Sequence, residues 1–171
     1  EKLRIARALL DIIDAKDPYT SEHSQQIASF ALLVAEELGL PDRERYALWL
    51  GSLLHDVGKI STPSWVLRKP SSLTTEEWDL MREHPSVGET IVRGLLDMPE
   101  VVDIVACHHE RYDGTGYPRH LVGQEIPRLA RIVSVADSFS AMVHDRPYRK
   151  GLSWSDAVVE LRRGAGSQFD P

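Results

Sequence analysis

Residues 42–59 read DRERYALWLGSLLHDVGK, and this stretch decides the fold. Its apolar residues recur at helical spacing at Tyr46, Leu50, Leu53, Leu54 and Val57. Because Pro41 suits the first turn of a helix, the pattern predicts a helix that begins there and stops near Gly58. The polar pair His55-Asp56 therefore stands at the end of an apolar helix, which marks it as a candidate site.

Helical periodicity continues on both sides of this stretch. The further predicted helices cover residues 1–14, 20–38, 85–95, 99–108, 128–142 and 153–162, with one more capped by Thr74 or Thr75. Glycine, proline, serine and threonine punctuate residues 60–74 and 110–127, which are predicted to be loops. The sequence has no alternating strand pattern of useful length, so it predicts an all-α fold with two structured loops.

Composition narrows the class of protein. The chain of 171 residues is 42% apolar and 27% charged, which suits one globular domain. A net charge of −6 argues against a surface for a nucleic-acid polymer, which would carry a basic excess. Cys107 is the single cysteine, which excludes internal disulfides and cysteine-rich zinc sites and fits a cytoplasmic location. Because the chain begins at Glu1 without a methionine, we expect a piece of a longer regulatory protein.

Histidines carry the chemistry that the sequence offers. They are His23, His55, His84, His108, His109, His120 and His144. Two adjacent pairs, His55-Asp56 and His108-His109, each stand at the end of a predicted helix. Adjacent helical side chains point about 100° apart, but the geometry loosens at a helix end, so both members of a pair could converge on metal ions. The Asp56 carboxylate has two oxygens and could bridge two ions.

The donor atoms suggest which ions. A mixed nitrogen and oxygen set without thiolate suits Fe, Mn or Zn. Asp137 falls on an apolar helix face, where a carboxylate is costly to bury unless it is paired or bound to metal. Single histidines such as His120 and His144 are more often surface or hydrogen-bonded core residues than ligands. We expect the tryptophans at 49, 65, 78 and 154 to be core or packing residues, and Cys107 to be a small buried residue of its helix.

The ordered series of motifs resembles a known family. Its first part, Asp17-Pro18-Tyr19-Thr20 with His23-Ser24 and then His55-Asp56-Val57-Gly58-Lys59, is similar to the HD superfamily of metal phosphohydrolases. The remaining motifs are His84-Pro85 with Gly88, His108-His109-Glu110, Asp113-Gly114-Thr115-Gly116-Tyr117-Pro118, Ala136-Asp137, Arg146-Pro147-Tyr148-Arg149 and Gln168-Phe169-Asp170-Pro171. Together they resemble the HD-GYP subfamily over nearly the whole chain. The resemblance implies an HD-type helical bundle with a structured GYP loop, acting in bacterial signalling as a metal-dependent phosphodiesterase on cyclic di-GMP.

Carried over position by position, the resemblance also implies roles. The implied metal ligands are His23, His55, Asp56, His84, His108, His109 and Asp137, with Asp56 bridging. The implied substrate residues are Gly116, Tyr117 and Pro118, which shape a loop over the site, and Arg146 and Arg149, which hold phosphate. Tyr19 stands where some members place a glutamate that helps to hold a third metal, so we expect two divalent ions, Fe or Mn.

The implied mechanism is attack by a hydroxide that two metals supply, with Lys59 as the general acid for the departing ribose oxygen. The products would be pGpG, GMP or both. Further implied partners are a receiver or sensor domain in the parent chain and diguanylate cyclases. The amphipathic residues 1–14 also leave a homodimer open.

Two alternatives compete with this interpretation. The chain could be an HD phosphohydrolase for another nucleotide, such as a hybrid cyclic dinucleotide or a nucleoside monophosphate. It could instead be a catalytically weak domain that binds cyclic di-GMP or a partner protein. Degenerate domains usually lose ligands, whereas only the optional glutamate is missing here, which favours an enzyme.

Overall fold

The computed structural model describes the backbone of residues 2–16, 20–145 and 150–171. Its helices, in chain order, are α1 (Lys2–Lys16), α2 (Thr20–Glu37), α3 (Asp42–Leu54), α4 (Ser64–Leu67), α5 (Thr75–Arg82), α6 (His84–Leu95), α7 (Pro99–Cys107), α8 (Arg128–Val143) and α9 (Trp154–Arg163). Short 3-10 helices lie at Val57–Ile60 and Gly123–Glu125. The predictions on Asp17, Tyr19, Arg146 and Arg149 fall outside the described residues.

The prediction of an all-α fold is confirmed. In the described ranges, strand pairing is limited to two isolated bridges, Asp113 with Val122 and Ala165 with Phe169. Among the helices of those same ranges, none combines the length and the apolar character that a membrane span requires.

Helix α3 lies at the centre of the core. It packs against α2, α7 and α8, and α6 packs against α7 and against the turn that follows α3. Leu48, Leu50 and Leu54 of α3 and Ile104 of α7 are completely buried. Because this apolar packing fixes the axis of α3, the residues that follow Leu54 enter the interior in a defined direction.

The sequence predictions for this region are wrong at two points. The helix predicted to run to near Gly58 ends at Leu54, and Val57–Ile60 forms a tighter 3-10 turn. The 3-10 turn packs closely on α6, since a Cβ on Gly58 would lie 1.8 Å from the carbonyl oxygen of His84. The predicted loop at 60–74 also contains the short helix α4.

The predicted cap at Thr74 is confirmed and fixes the start of α5. The Thr74 hydroxyl accepts a hydrogen bond from the Glu77 main-chain nitrogen at 3.3 Å. The Glu77 carboxylate accepts one in return from the Thr74 nitrogen at 2.7 Å. Such a reciprocal pair satisfies donors that a helix start leaves open. Helix α5 then leads to His84 with only Glu83 between them.

The expectation that the tryptophans are core or packing residues is wrong for Trp65 and Trp78. Trp65, Trp78 and Trp154 are 61%, 44% and 64% exposed. Trp154 still makes edge contacts with Phe30 and Phe139, whereas Trp65 and Trp78 present much of their surface to solvent. Cys107 is fully buried as predicted, and burial raises the pKa of its thiol to about 11.

We expect Gly58→Ala to lower the free energy of unfolding by at least about 1–3 kcal/mol, the usual cost of overpacking. The new methyl group would meet main-chain atoms of α6, among them the Gly88 nitrogen at 2.5 Å. Gly94→Ala is the matched control, since a Cβ there meets nothing within 4 Å; we expect a gain of up to about 1 kcal/mol. Urea denaturation measures both, and equal stability of Gly58→Ala and the wild type would contradict this packing.

Candidate metal centre

Four side chains gather around the carboxylate that follows α3. Asp56, His84, His108 and His109 each offer a ligand atom, and these atoms lie within 4.8 Å of one another. His84 Nε2 is 3.3 Å from Asp56 Oδ1, and His108 Nε2 is 4.0 Å from the same oxygen. The rings of the adjacent pair His108 and His109 lie 4.1 Å apart. The end of α7 thus brings both histidines to one group, as the sequence predicted for a helix end.

The other carboxylate oxygen of Asp56 faces a different set of side chains. His55 Nε2 lies 3.3 Å from Asp56 Oδ2, and the Lys59 ammonium donates to the same oxygen at 2.6 Å. Beyond His55, His23 Nε2 lies 3.1 Å from Asp137 Oδ1. The rings of His23 and His55 have centroids 6.3 Å apart. Asp56 Oδ1 therefore faces His84 and His108, whereas Oδ2 faces His55 and Lys59. His55 also meets His108 edge-on, with ring centroids 5.1 Å apart.

Main-chain hydrogen bonds fix which ring nitrogen of these histidines faces Asp56. The Nδ1 atom of His55 lies 2.7 Å from the Ser52 carbonyl. His84 makes the same bond to Met81 at 2.7 Å, and His108 to Val105 at 2.9 Å. Because a carbonyl only accepts, Nδ1 carries the hydrogen, and the Nε2 atom of a neutral ring turns its lone pair to the centre. Histidines that ligate metals in proteins are held in this way.

Electrostatics keep the imidazoles on the Oδ1 side neutral. Burial lowers the pKa of His84 despite the attraction of Asp56. Burial and the neighbouring His109 hold the pKa of His108 well below its usual range. Burial and His84 lower the pKa of His109 to about 4. At neutral pH, His84, His108 and His109 are therefore uncharged rings, each with one nitrogen lone pair that can bind a proton or a metal ion.

The two Nε2 atoms of His84 and His108 lie only 3.2 Å apart. With both rings neutral, two lone pairs and the Asp56 carboxylate converge on one small volume. A cation relieves that repulsion, and imidazole with carboxylate is a donor set that transition metals accept. The group therefore fits a divalent metal ion.

The carboxylates of the site are ionised. Burial opposes ionisation of Asp56, but the Lys59 ammonium and the His55 imidazole hold the pKa of this carboxyl well below its usual range. Burial likewise opposes ionisation of Asp137, and its hydrogen bond with His23 lowers its pKa. Against the effect of burial, the same Asp56 charge raises the pKa of His55. A metal ion that takes His55 Nε2 therefore competes with a proton as the pH falls.

The predicted GYP loop lies against His109, one of the histidines grouped around Asp56. The Tyr117 ring stacks on His109 with centroids 4.9 Å apart and planes 28° apart. The peptide bond between Tyr117 and Pro118 is cis. A Cβ on Gly116 would lie 2.2 Å from the main-chain nitrogen of Arg111, so glycine is required where the loop doubles back on the end of α7.

Glu110 holds this loop, and the sequence analysis did not assign it a role. Its carboxylate is buried and accepts hydrogen bonds from two main-chain nitrogens of the loop, Arg119 at 2.6 Å and Leu121 at 3.1 Å. The position of this glutamate, directly after His108-His109, was the sequence signal that could have indicated its role. A second residue without an assigned role is Ser140, whose hydroxyl lies 3.1 Å from His23 Nδ1.

The two single histidines lie apart from Asp56. His120 is exposed on the loop and has a positive φ of 55°. His144 Nδ1 donates to the carbonyl of Ser140 at 2.8 Å. Neither belongs to the group around Asp56.

Comparison with known proteins identifies the family. The HD domain profile matches residues 7–171, so the chain belongs to the HD domain family. Over 170 residues it is 42% identical to the cyclic di-GMP phosphodiesterase response regulator RpfG of Xanthomonas campestris, covering 98% of this chain and 44% of the relative. It is 36% identical to the 3'3'-cGAMP-specific phosphodiesterase 3 of Vibrio cholerae, covering 98% of this chain and 36% of the relative. The chain thus spans less than half of each of these two relatives.

A solved structure supports the same assignment. An HDG"Y"P protein from Bdellovibrio bacteriovorus superimposes with a TM-score of 0.71 at 27% identity, covering 89% of this chain and 49% of that one. The resemblance to HD-GYP proteins that the motifs indicated is therefore confirmed.

We expect Glu110→Gln to lower the free energy of unfolding by about 1–3 kcal/mol. Glutamine keeps the shape but offers one acceptor oxygen, so its amide would face one of the two loop N–H groups. Glu125→Gln is the control, because Glu125 is exposed and accepts a hydrogen bond from the Val122 nitrogen at 3.0 Å. That change should stay within about 0.5 kcal/mol. Urea midpoints measure both, and equal effects of the two substitutions would contradict a buried clamp.

Proposed function

We propose that this chain is a metal-dependent phosphodiesterase that hydrolyses cyclic di-GMP. The observation that carries the proposal is the position of Asp56, whose Oδ1 faces His84 and His108 and whose Oδ2 faces His55. Support comes also from relatives in which this region lies within proteins named as phosphodiesterases of cyclic di-GMP and of 3'3'-cGAMP. The names of these relatives point to a cyclic dinucleotide as the substrate class.

Two ions, Fe or Mn, would be shared by these residues. One would be held by Asp56 with His84, His108 and His109. The other would be held by Asp56 with His55, His23 and Asp137. Divalent ions bound there would supply a hydroxide near neutral pH and neutralise charge on the phosphoryl oxygens.

Lys59 is the proposed general acid. Its ammonium lies 2.6 Å from Asp56 Oδ2 and its side chain is 23% exposed, so it borders both the buried carboxylate and the open side of the site. As the bond from phosphorus to the ribose 3' oxygen breaks, Lys59 would give its proton to that oxygen. The product of one cleavage is linear pGpG, and a second cleavage gives GMP.

The remaining predictions extend this proposal. Arg146 and Arg149, outside the described residues, would bind the substrate phosphates. A sensor or receiver domain, contacts with diguanylate cyclases, a homodimer and a cytoplasmic location stay predictions. The hybrid dinucleotide 3'3'-cGAMP is the second candidate substrate, because three relatives from Vibrio cholerae are named as specific for it.

We expect Asp56→Asn to lose bound metal at both positions and to abolish turnover, because the amide removes the negative charge that lies between His55 and His84. Protein loaded anaerobically with Fe(II) or Mn(II) would be incubated with cyclic di-GMP or 3'3'-cGAMP. Chromatography would resolve the nucleotides, and elemental analysis would count the metal.

The matched control is His120→Asn, which alters an exposed histidine and tolerates its positive φ. It should keep metal and activity. Wild-type protein with full metal and no product from either nucleotide would overturn the enzyme proposal in favour of a binding domain. Turnover retained in Asp56→Asn would mean that the site is wrong.

We expect Lys59→Gln to lower kcat for cyclic di-GMP by about 10²–10⁴, the usual contribution of general acid catalysis. Hydrolysis of bis(p-nitrophenyl) phosphate should fall far less, because p-nitrophenolate leaves without a proton. Lys69→Gln is the control, since this lysine pairs with Glu77 at 2.5 Å rather than with Asp56. Equal losses on both substrates would show that Lys59 acts through the charge of Asp56 and not as an acid.

A further inference from the structure

A series of ring contacts leads from the metal centre to the surface. Tyr117 stacks on His109 at 4.9 Å. The guanidinium of Arg82 lies 5.9 Å from the centroid of the Tyr117 ring and 5.8 Å from that of Trp78. Both distances fall within the range of a cation–π contact. Arg82 thus lies between a ring that touches the centre and a ring that faces solvent.

Helix α5 holds Trp78 and Arg82 in fixed relation to the centre. The two residues are four apart, so they share one face of the helix. The Thr74 capping box fixes the start of α5, and its last turn supplies the Met81 carbonyl that orients the His84 ring at 2.7 Å. One short helix therefore positions both a candidate ligand of the metal and this exposed pair.

The pair is accessible. Trp78 is 44% exposed, and the side chain of Arg82 is 52% exposed. The acidic neighbour of Arg82 is Asp79 at 3.6 Å, with 70% of its side chain exposed. An exposed ion pair of this kind contributes little, so a ligand can displace it at low cost.

We propose that Trp78 and Arg82 form the subsite for a guanine base of the substrate. This inference rests on the proposed function. A base joined through ribose to a phosphate at Asp56 must lie on the surface beside the cluster, and this surface adjoins it through Tyr117. The indole stacks on the base, which any purine accepts. The guanidinium donates to O6 and N7 of guanine, a pairing that adenine opposes with its amino group.

The surroundings of Arg82 favour a base over a phosphate. Two aromatic rings flank the guanidinium, and such flat apolar surfaces suit a planar base. The nearby Asp79 carboxylate would repel a phosphate but not a neutral guanine.

The test compares metal-loaded variants on three substrates: cyclic di-GMP, cyclic di-AMP and bis(p-nitrophenyl) phosphate, which carries no base. We expect Arg82→Ala to raise KM for cyclic di-GMP roughly 10–100-fold, the range of a bidentate guanine contact. Its kcat/KM for the base-free ester should fall far less, and its preference for cyclic di-GMP over cyclic di-AMP should shrink.

Companion variants separate the chemistry from a loss of structure. Trp78→Ala should weaken both cyclic dinucleotides, and Trp78→Phe should restore most of the loss because it keeps a stacking ring. Arg82→Lys should behave like Arg82→Ala, since lysine lacks the planar fork. Arg163→Ala is the control, an exposed arginine of α9 that pairs with Glu160.

Three results would overturn the subsite. One is an unchanged KM for cyclic di-GMP in both alanine variants. Another is an equal loss on all three substrates, which indicates damage to the metal centre. The third is an equal loss on both cyclic dinucleotides in Arg82→Ala, which indicates a phosphate contact. If the wild type hydrolyses neither dinucleotide, the proposed function fails separately, and the dissociation constant of cyclic di-GMP for the same variants decides the subsite.

Discussion

The buried Asp56 carboxylate is the constraint on which the rest of the structure depends. An ionised carboxylate in the interior is strongly unfavourable unless charges and hydrogen bonds compensate it. Lys59 and the His55 imidazole provide that compensation, and they keep the pKa of Asp56 far below its usual range. The imidazoles in turn converge more closely than neutral rings would by themselves, with two Nε2 atoms at 3.2 Å. The carboxylate and the imidazoles together fit the coordination shell of a bound cation.

One hydrogen bond at the end of a helix both satisfies a main-chain carbonyl and orients a histidine ring. The last carbonyls of a helix lack partners within it. Ser52, Met81 and Val105 lie in the last turns of α3, α5 and α7, and each accepts a hydrogen bond from the Nδ1 atom of a histidine three residues later. The same bond that closes the helix therefore turns Nε2 toward Asp56. Packing among these helices then determines the distances between the rings, and Gly58 permits α6 to approach closely enough.

Much of this architecture could be predicted from the sequence, because helical periodicity and caps are local. The Thr74 cap and the central apolar helix are examples, and the pairs His55-Asp56 and His108-His109 lie together in the candidate centre. The features that the sequence did not predict depend on contacts between distant segments. The turn at Gly58 packs directly on the backbone of α6, and Glu110 holds a loop up to eleven residues away. The exposure of Trp78 follows from how α5 lies on the molecule, which no local pattern records. Which imidazoles face each oxygen of Asp56 likewise depends on the tertiary structure.

The positions of bound ions test the central role of Asp56 most directly. Crystals of the protein loaded with Mn(II) would be measured at the manganese absorption edge, so that anomalous scattering locates each ion. We expect two manganese sites about 3.5–4 Å apart, as in two-metal hydrolases, with one oxygen of Asp56 on each. A single ion, or two ions that Asp56 does not join, would contradict this arrangement.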